Sequence, residues 1–152
     1  MCSDPVGKPG NIPALVEEAY DWPLTNGLHM HSRVTVNRNS GGIAGSTHTL
    51  NTNHLEGFHA RVMAVLKNGC GEVIYVTPPE AVGVDANQFF LRWEDWFEWT
   101  KPVDLMVTQR TASLQVVNSR GGNDTTDNFN RLRGLACSYW EAQRQACPIP
   151  TL

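Results

Sequence analysis

The feature that most constrains the fold is a pair of β-rich runs separated by a short turn. Residues 58–66 are mostly apolar, residues 72–77 are rich in β-branched and aromatic types, and Asn68-Gly69 lies between the two runs. Such residues favour pleated strands, and glycine readily takes the positive φ that a tight turn demands. The pattern predicts a β-hairpin near the centre of the fold. Pro78 and Pro79 end its second strand because neither can donate to a ladder.

A second hairpin is predicted upstream, where residues 28–36 alternate between an apolar and a polar side. The apolar positions are Leu28, Met30, Val34 and Val36, and the polar positions are His29, His31, Arg33 and Thr35. This period of two indicates a strand with one buried face. Residues 37–42 supply turn-forming types, and the Thr-rich residues 43–50 form the partner strand.

Residues 86–100 fit two periods, and the sequence leaves both open. Phe89, Phe90, Trp93, Trp96 and Phe97 recur at helical spacing, which favours a further helix there. The alternative is a strand with Trp93, Phe97 and Trp99 on one face. A short helix over residues 13–19 is also expected, with Pro13 in its first turn.

Two more elements follow. Residues 112–118 are a strand candidate, and residues 125–146 are predicted to form an amphipathic C-terminal helix. Its apolar stripe comprises Phe129, Leu132, Leu135, Ala136, Tyr139 and Trp140. The fold class expected is therefore mainly β: a single-domain antiparallel β-sandwich or flattened barrel with a C-terminal helix. Residues 1–11 are expected to be a flexible arm, and residues 12–152 one globular domain.

Charge and hydropathy narrow the range of partners and compartments. The net charge is −3, with 12 basic against 15 acidic residues, so a nucleic-acid surface is not expected. No run approaches the ~20 apolar residues of a membrane span. A cytoplasmic location is expected for the chain as given, with export or a lipid anchor at Cys2 only if a signal segment had been removed.

The four cysteines lack metal-ligand spacing, so reduced thiols are expected. If the segment between Cys137 and Cys147 were helical, the two would lie about 15 Å apart, too far for a disulfide.

The five histidines all fall within residues 29–59. His29 and His31 would project from one strand face, and His48 or His59 on a neighbouring strand could complete a divalent metal site, with Glu56 in support. No other cofactor is expected. The simpler interpretation is that His29 and His31 lie on a solvated strand face.

Trp93, Trp96 and Trp99 lie within seven residues, close to Glu94 and Asp95. Aromatic faces beside carboxylates can stack a sugar ring and bind its hydroxyls, and they also occur at protein interfaces. The alternative is that this segment packs into the core.

These features favour a binding or interaction module over an enzyme. No nucleophile elbow, phosphate-binding loop, zinc helix or dinucleotide fingerprint is present. The module would bind a glycan or a protein through its aromatic segment. The alternative is a small metal-dependent or acid–base enzyme using the histidine cluster. A third hypothesis is an accessory subunit docking through its C-terminal helix, which exposed Phe129 and Trp140 would indicate.

Overall fold

The computed structural model describes residues 14–23, 28–51, 60–82, 93–119 and 123–152. Within these ranges the chain forms two antiparallel sheets of four strands and two helices. The strands are β1 Leu15–Pro23, β2 Leu28–Asn37, β3 Gly42–Asn51, β4 Arg61–Lys67, β5 Val73–Val76, β6 Glu80–Ala81, β7 Trp93–Pro102 and β8 Ser113–Ser119. The helices are α1 Leu105–Arg110 and α2 Asn123–Ala142. The predicted mainly β class with a C-terminal helix is confirmed.

The first sheet has the strand order β1-β2-β3-β7. The upstream hairpin is confirmed, because β2 and β3 pair without a register shift from Leu28 opposite Asn51 to Asn37 opposite Gly42. Burial follows the predicted alternation: Met30 and Val34 are buried, whereas Arg33 between them in sequence is exposed. One face of this sheet therefore points into the core and the other points outward.

The second sheet is organised around β4, which pairs with β8 along one edge and with β5 and β6 along the other. Every residue from Val62 to Leu66 is buried, so β4 is covered on both faces. The predicted central hairpin is confirmed as β4–β5. In its turn the Asn68 carboxamide oxygen accepts from the backbone N–H of Cys70 and of Glu72, and Gly71 takes a positive φ of 80°.

The two sheets meet through one face of β8. Ser32 on the inner side of β2 donates to the Asn118 side chain at 2.9 Å. The other face of the second sheet is covered by α2, where the buried Trp140 indole N–H donates to the carbonyl of Ile74 at 2.7 Å. The layers are therefore first sheet, second sheet and helix.

Helix α2 confirms the predicted C-terminal element, although it ends at Ala142. Five of the six predicted stripe residues are buried, and Leu135 is the exception because it is exposed. Phe129 and Trp140 are fully buried. The exposed apolar surface expected of a docking helix is therefore absent from these two positions.

Two local predictions were wrong. Residues 93–100 belong to strand β7, so the helical interpretation of that segment fails and the alternating one holds. The short helix expected over residues 13–19 is replaced by β1, whose Val16 is buried against the core. Helix α1 was not predicted; Asp104 caps it by accepting from the N–H of Met106.

The expectation of reduced thiols is also wrong. Cys137 and Cys147 form a disulfide with a Cα–Cα distance of 4.8 Å, and Cys70 is disulfide-bonded as well. The 15 Å estimate failed because the chain reverses at Arg144, which adopts a positive φ of 59°. This reversal brings Cys147 back alongside α2, and the Arg133 side chain donates to the carbonyl of Ile149 there.

Neither helix within the described ranges is long and apolar enough to cross a membrane. The arm predicted for residues 1–11 lies outside the described residues.

Candidate ligand-binding face

The candidate site is the outward side of the first sheet, which we call the outer face. Strand register aligns its side chains in rows across β2, β3 and β7. These rows are His31–His48–Trp96, Arg33–Ser46–Glu98 and Thr35–Ala44–Thr100. Alternation along each strand places all nine side chains on one surface.

One end of the outer face carries an aromatic stack. The His48 and Trp96 rings lie parallel, with centroids 3.9 Å apart and an interplanar angle of 8°. His48 Nε2 lies 3.0 Å from Glu94 Oε2. The Trp96 side of this assembly remains open, because the residue is 66% exposed. A large aromatic ring is thus presented outward and is contacted on one side by a hydrogen-bonded imidazole.

A groove begins beside this stack and runs along β3. Its floor consists of Ala44 and Ser46, whose side chains are short, and its walls are formed by β2 and β7. The depression has a volume of about 360 Å³, and its wall residues include Arg33, Thr35, Glu98 and Thr100. Small side chains between longer ones produce this shape on an otherwise flat sheet.

The groove continues toward the β2–β3 turn. A second depression of about 390 Å³ shares Thr35, Ala44 and Thr100 with the first. It extends past Gly42 and is bounded by Asn37, Pro102 and neighbouring residues. The two depressions therefore adjoin at the Thr35–Ala44–Thr100 row, and we call the pair the channel.

The charges on this face are mainly acidic. Glu94 and Glu98 project from β7, and Glu17 projects from β1. Arg33 and Lys101 are the basic residues that line the two depressions, and the Arg33 guanidinium contacts the Glu17 carboxylate. Lys101, at the far end of the channel, is paired with Glu80 at 2.6 Å. Both cations already have carboxylate partners, so the electrostatic field along the groove is negative to neutral.

The structure brings three of the predicted histidines to one face. His29 and His31 lie on β2, and His48 is the register partner of His31 on β3. His59 and Glu56 lie outside the described residues. Among the residues that are described, no group of three His, Cys, Asp or Glu side chains could hold a metal ion. The metal site involving His59 stays a prediction.

The predicted tryptophan segment divides between two faces. Trp96 and Glu94 lie on the outer face, with the stack. Trp99 packs against the core from the inner side and is also among the residues that line the groove. Asp95 is exposed, and its carbonyl accepts from Thr49 at 3.4 Å. Trp93 begins β7, and its side chain is not among those described.

Sequence reasoning missed the groove itself. The residues that shape it are Arg33, Ala44, Ser46, Glu98 and Thr100. The signal was present in β3, where Gly42, Ala44 and Ser46 occupy successive positions of one face. A run of small residues along a central strand face predicts a channel once its two neighbouring strands are known.

A separate depression of about 640 Å³ lies between the β4–β5 turn and α2. Its lining includes Val73, Leu135, Tyr139 and Ala142, and Glu72 is the one charged residue that lines it. Ser138 and Gln143 also line it, but no stacked or hydrogen-bonded aromatic pair like His48–Trp96 is recorded among its described lining residues.

No family model, curated protein or solved structure matches this chain.

Proposed function

We propose that the protein is a carbohydrate-binding β-sandwich and that its outer face is the binding surface. The observation that carries this proposal is Trp96, a mostly exposed ring stacked on His48 at the end of a polar groove. An exposed aromatic that is held in position by its neighbours is a feature of contact surfaces rather than of solvated ones.

The chemistry of the face suits a sugar. The C–H groups on one side of a pyranose ring form an apolar patch that stacks on an indole, while its hydroxyls extend sideways. Glu94 and Glu98 on β7 and Ser46 on β3 supply acceptors and a donor next to the Trp96 ring. A few polar groups placed around an apolar platform are what fixes the orientation of a small ligand.

The same composition favours a glycan over a protein partner. The buried centre of a protein interface is rich in apolar and aromatic residues and poor in charge. Across the three described rows, Trp96 is surrounded by imidazole, hydroxyl, guanidinium and carboxylate groups. This surface supports a single stacking contact with hydrogen bonds around it.

A panel of immobilised glycans, probed with the wild-type chain and with Trp96→Ala, tests the proposal. We expect wild-type retention on at least one neutral glycan and at least a tenfold loss in the variant. Leu135→Ala is the matched control, because Leu135 is also a large exposed apolar side chain but lies on α2. Retention that survives Trp96→Ala, or no retention on any glycan, would contradict the proposal.

A second candidate function is acid–base catalysis, favoured by the contact between His48 and Glu94. A carboxylate that holds an imidazole by one ring nitrogen fixes the orientation of the ring, as a general base requires. The discriminating measurement is product release from any retained glycan. Cleavage that disappears in His48→Gln would favour this enzyme, whereas an intact glycan would favour binding alone.

We also propose that the protein acts in an oxidising compartment, in place of the cytoplasmic location expected from the sequence. Cys137 and Cys147 form one disulfide, and Cys70 is also disulfide-bonded. Disulfides persist outside the reducing cytosol and are rare within it. Exterior and secretory compartments are also where glycans are abundant.

A further inference from the structure

We infer that the ligand is a linear, uncharged glycan of more than two sugar units that lies along β3. This inference rests on the proposed carbohydrate-binding function and specifies its ligand class.

The length of the groove sets the size of the ligand. Gly42 and His48 are six residues apart on one strand, which corresponds to roughly 20 Å at about 3.4 Å per residue. The two depressions cover this path from Gly42 to Ser46 and adjoin at the Thr35–Ala44–Thr100 row, where the Ala44 side chain is short. The row with His48 and Trp96 comes next. A monosaccharide or disaccharide on Trp96 would leave most of this channel unfilled.

The floor sets the shape of the ligand. Gly42, Ala44 and Ser46 project little, whereas Arg33 and Glu98 rise on either side of Ser46. A straight channel with a low floor accepts an extended, flat chain lying lengthwise. Sugars joined by β-1,4 linkages through equatorial positions form such a chain, and branched glycans do not.

The charge sets the chemical class. A polyanionic glycan requires a cluster of basic groups, as phosphate and sulfate ligands do. Along this groove the carboxylates of Glu94 and Glu98 lie near the path, and the Arg33 guanidinium is already paired with Glu17. An acidic polysaccharide would therefore be repelled, while neutral hydroxyls can donate to these carboxylates.

Isothermal titration calorimetry with β-1,4-linked glucose oligomers and β-1,4-linked N-acetylglucosamine oligomers of increasing length tests the inference. We expect at least one series to show affinity that rises by tenfold or more between the dimer and the hexamer. Ala44→Leu raises the groove floor away from Trp96. It should reduce hexamer affinity to the dimer level.

A negatively charged oligomer tests the inference that the ligand is uncharged. Hexamers of β-1,4-linked glucuronic acid should bind at least tenfold more weakly than the neutral hexamer, and Glu98→Gln should narrow that difference. Thermal unfolding of each variant establishes that it is folded. Ser46→Ala is a second groove variant, in which the side chain on the groove floor stays short.

The outcomes separate the two claims. Binding that depends on Trp96 but not on oligomer length would overturn this inference and leave the proposed function standing. Preference for the glucuronic acid hexamer, or no binding of either neutral series, would also overturn it. The glycan panel with Trp96→Ala decides the proposed function independently.

Discussion

The indole of Trp99 lies directly over Gly45, its register partner on β3. A Cβ atom added at Gly45 would come within 2.1 Å of Trp99 Cε2. Glycine is therefore required at this position by close contact rather than by backbone angle. The contact lies on the inner side of the strands that carry the groove, so it fixes how closely β3 and β7 pack against the core.

Gly45→Ala is expected to destabilise the fold, because the ring of Trp99 must move away from a position packed against the core. Overpacking of this kind costs about 1–3 kcal/mol in the free energy of unfolding. Gly42→Ala is the matched control, since nothing lies within 4 Å of its added Cβ. Urea unfolding of the two variants should give a clear loss for Gly45→Ala only; equal stabilities would refute the packing role.

Thr77 holds β4 through its side chain. Its buried hydroxyl accepts from the backbone N–H of Ala64 at 2.8 Å. Thr77→Val keeps the shape but leaves that N–H without an acceptor, and a buried unsatisfied group costs about 1–3 kcal/mol. Thr77→Ser retains the hydroxyl and should lose less stability than Thr77→Val. The reverse order in chemical unfolding would show that the hydrogen bond is unimportant.

Tyr75 should make the fold sensitive to alkali. Burial raises the pKa of its phenol above the usual value of 10.0, because the phenolate loses hydration. The folded state then favours the protonated form. The contribution of the Tyr75 phenol to the free energy of unfolding is complete below the pKa that the phenol has in the unfolded chain. It is lost as pH rises toward the pKa of the phenol in the folded state.

The measurement is the free energy of unfolding of wild type and Tyr75→Phe between about pH 8 and pH 11. The difference in the free energy of unfolding between wild type and Tyr75→Phe should change at the alkaline end of this range. There the wild type should lose more stability than the variant. Parallel pH profiles would contradict a buried, raised-pKa phenol.

The Cys137–Cys147 disulfide closes a loop with a sequence separation of 10. Loop-closure entropy predicts a loss of about 2–3 kcal/mol in the Cys137→Ala, Cys147→Ala double variant. Alkylation of the unreduced, unfolded protein followed by mass spectrometry should leave both cysteines unmodified. Labelling of either residue would show that the bond does not form.

Local patterns predicted both hairpins: β2–β3 because a half-buried strand alternates apolar and polar residues, and β4–β5 because two β-rich runs flank a turn. At β7 the favoured helical period was wrong and the alternating one was right. Trp93, Trp96 and Phe97 also match a helical period, and the choice depends on pairing with β3, which is distant in sequence. The disulfide was missed for a related reason, since the reversal at Arg144 was read as a continuation of the helix.

Part of the candidate site was also predictable. Trp96, Glu94, His31 and His48 were all singled out from the sequence, but as two separate groups. Only the register of β3 with both β2 and β7 shows that His48 joins them.

The most direct test of the central claim is a titration of ¹⁵N-labelled protein with the neutral β-1,4-linked hexamer that binds best, followed by backbone amide shifts. We expect the largest shifts at outer-face residues of β3 and β7, including Ser46, His48 and Trp96. Largest shifts at Val73, Leu135 and Tyr139 instead would place the ligand in the depression beside α2 and contradict the account.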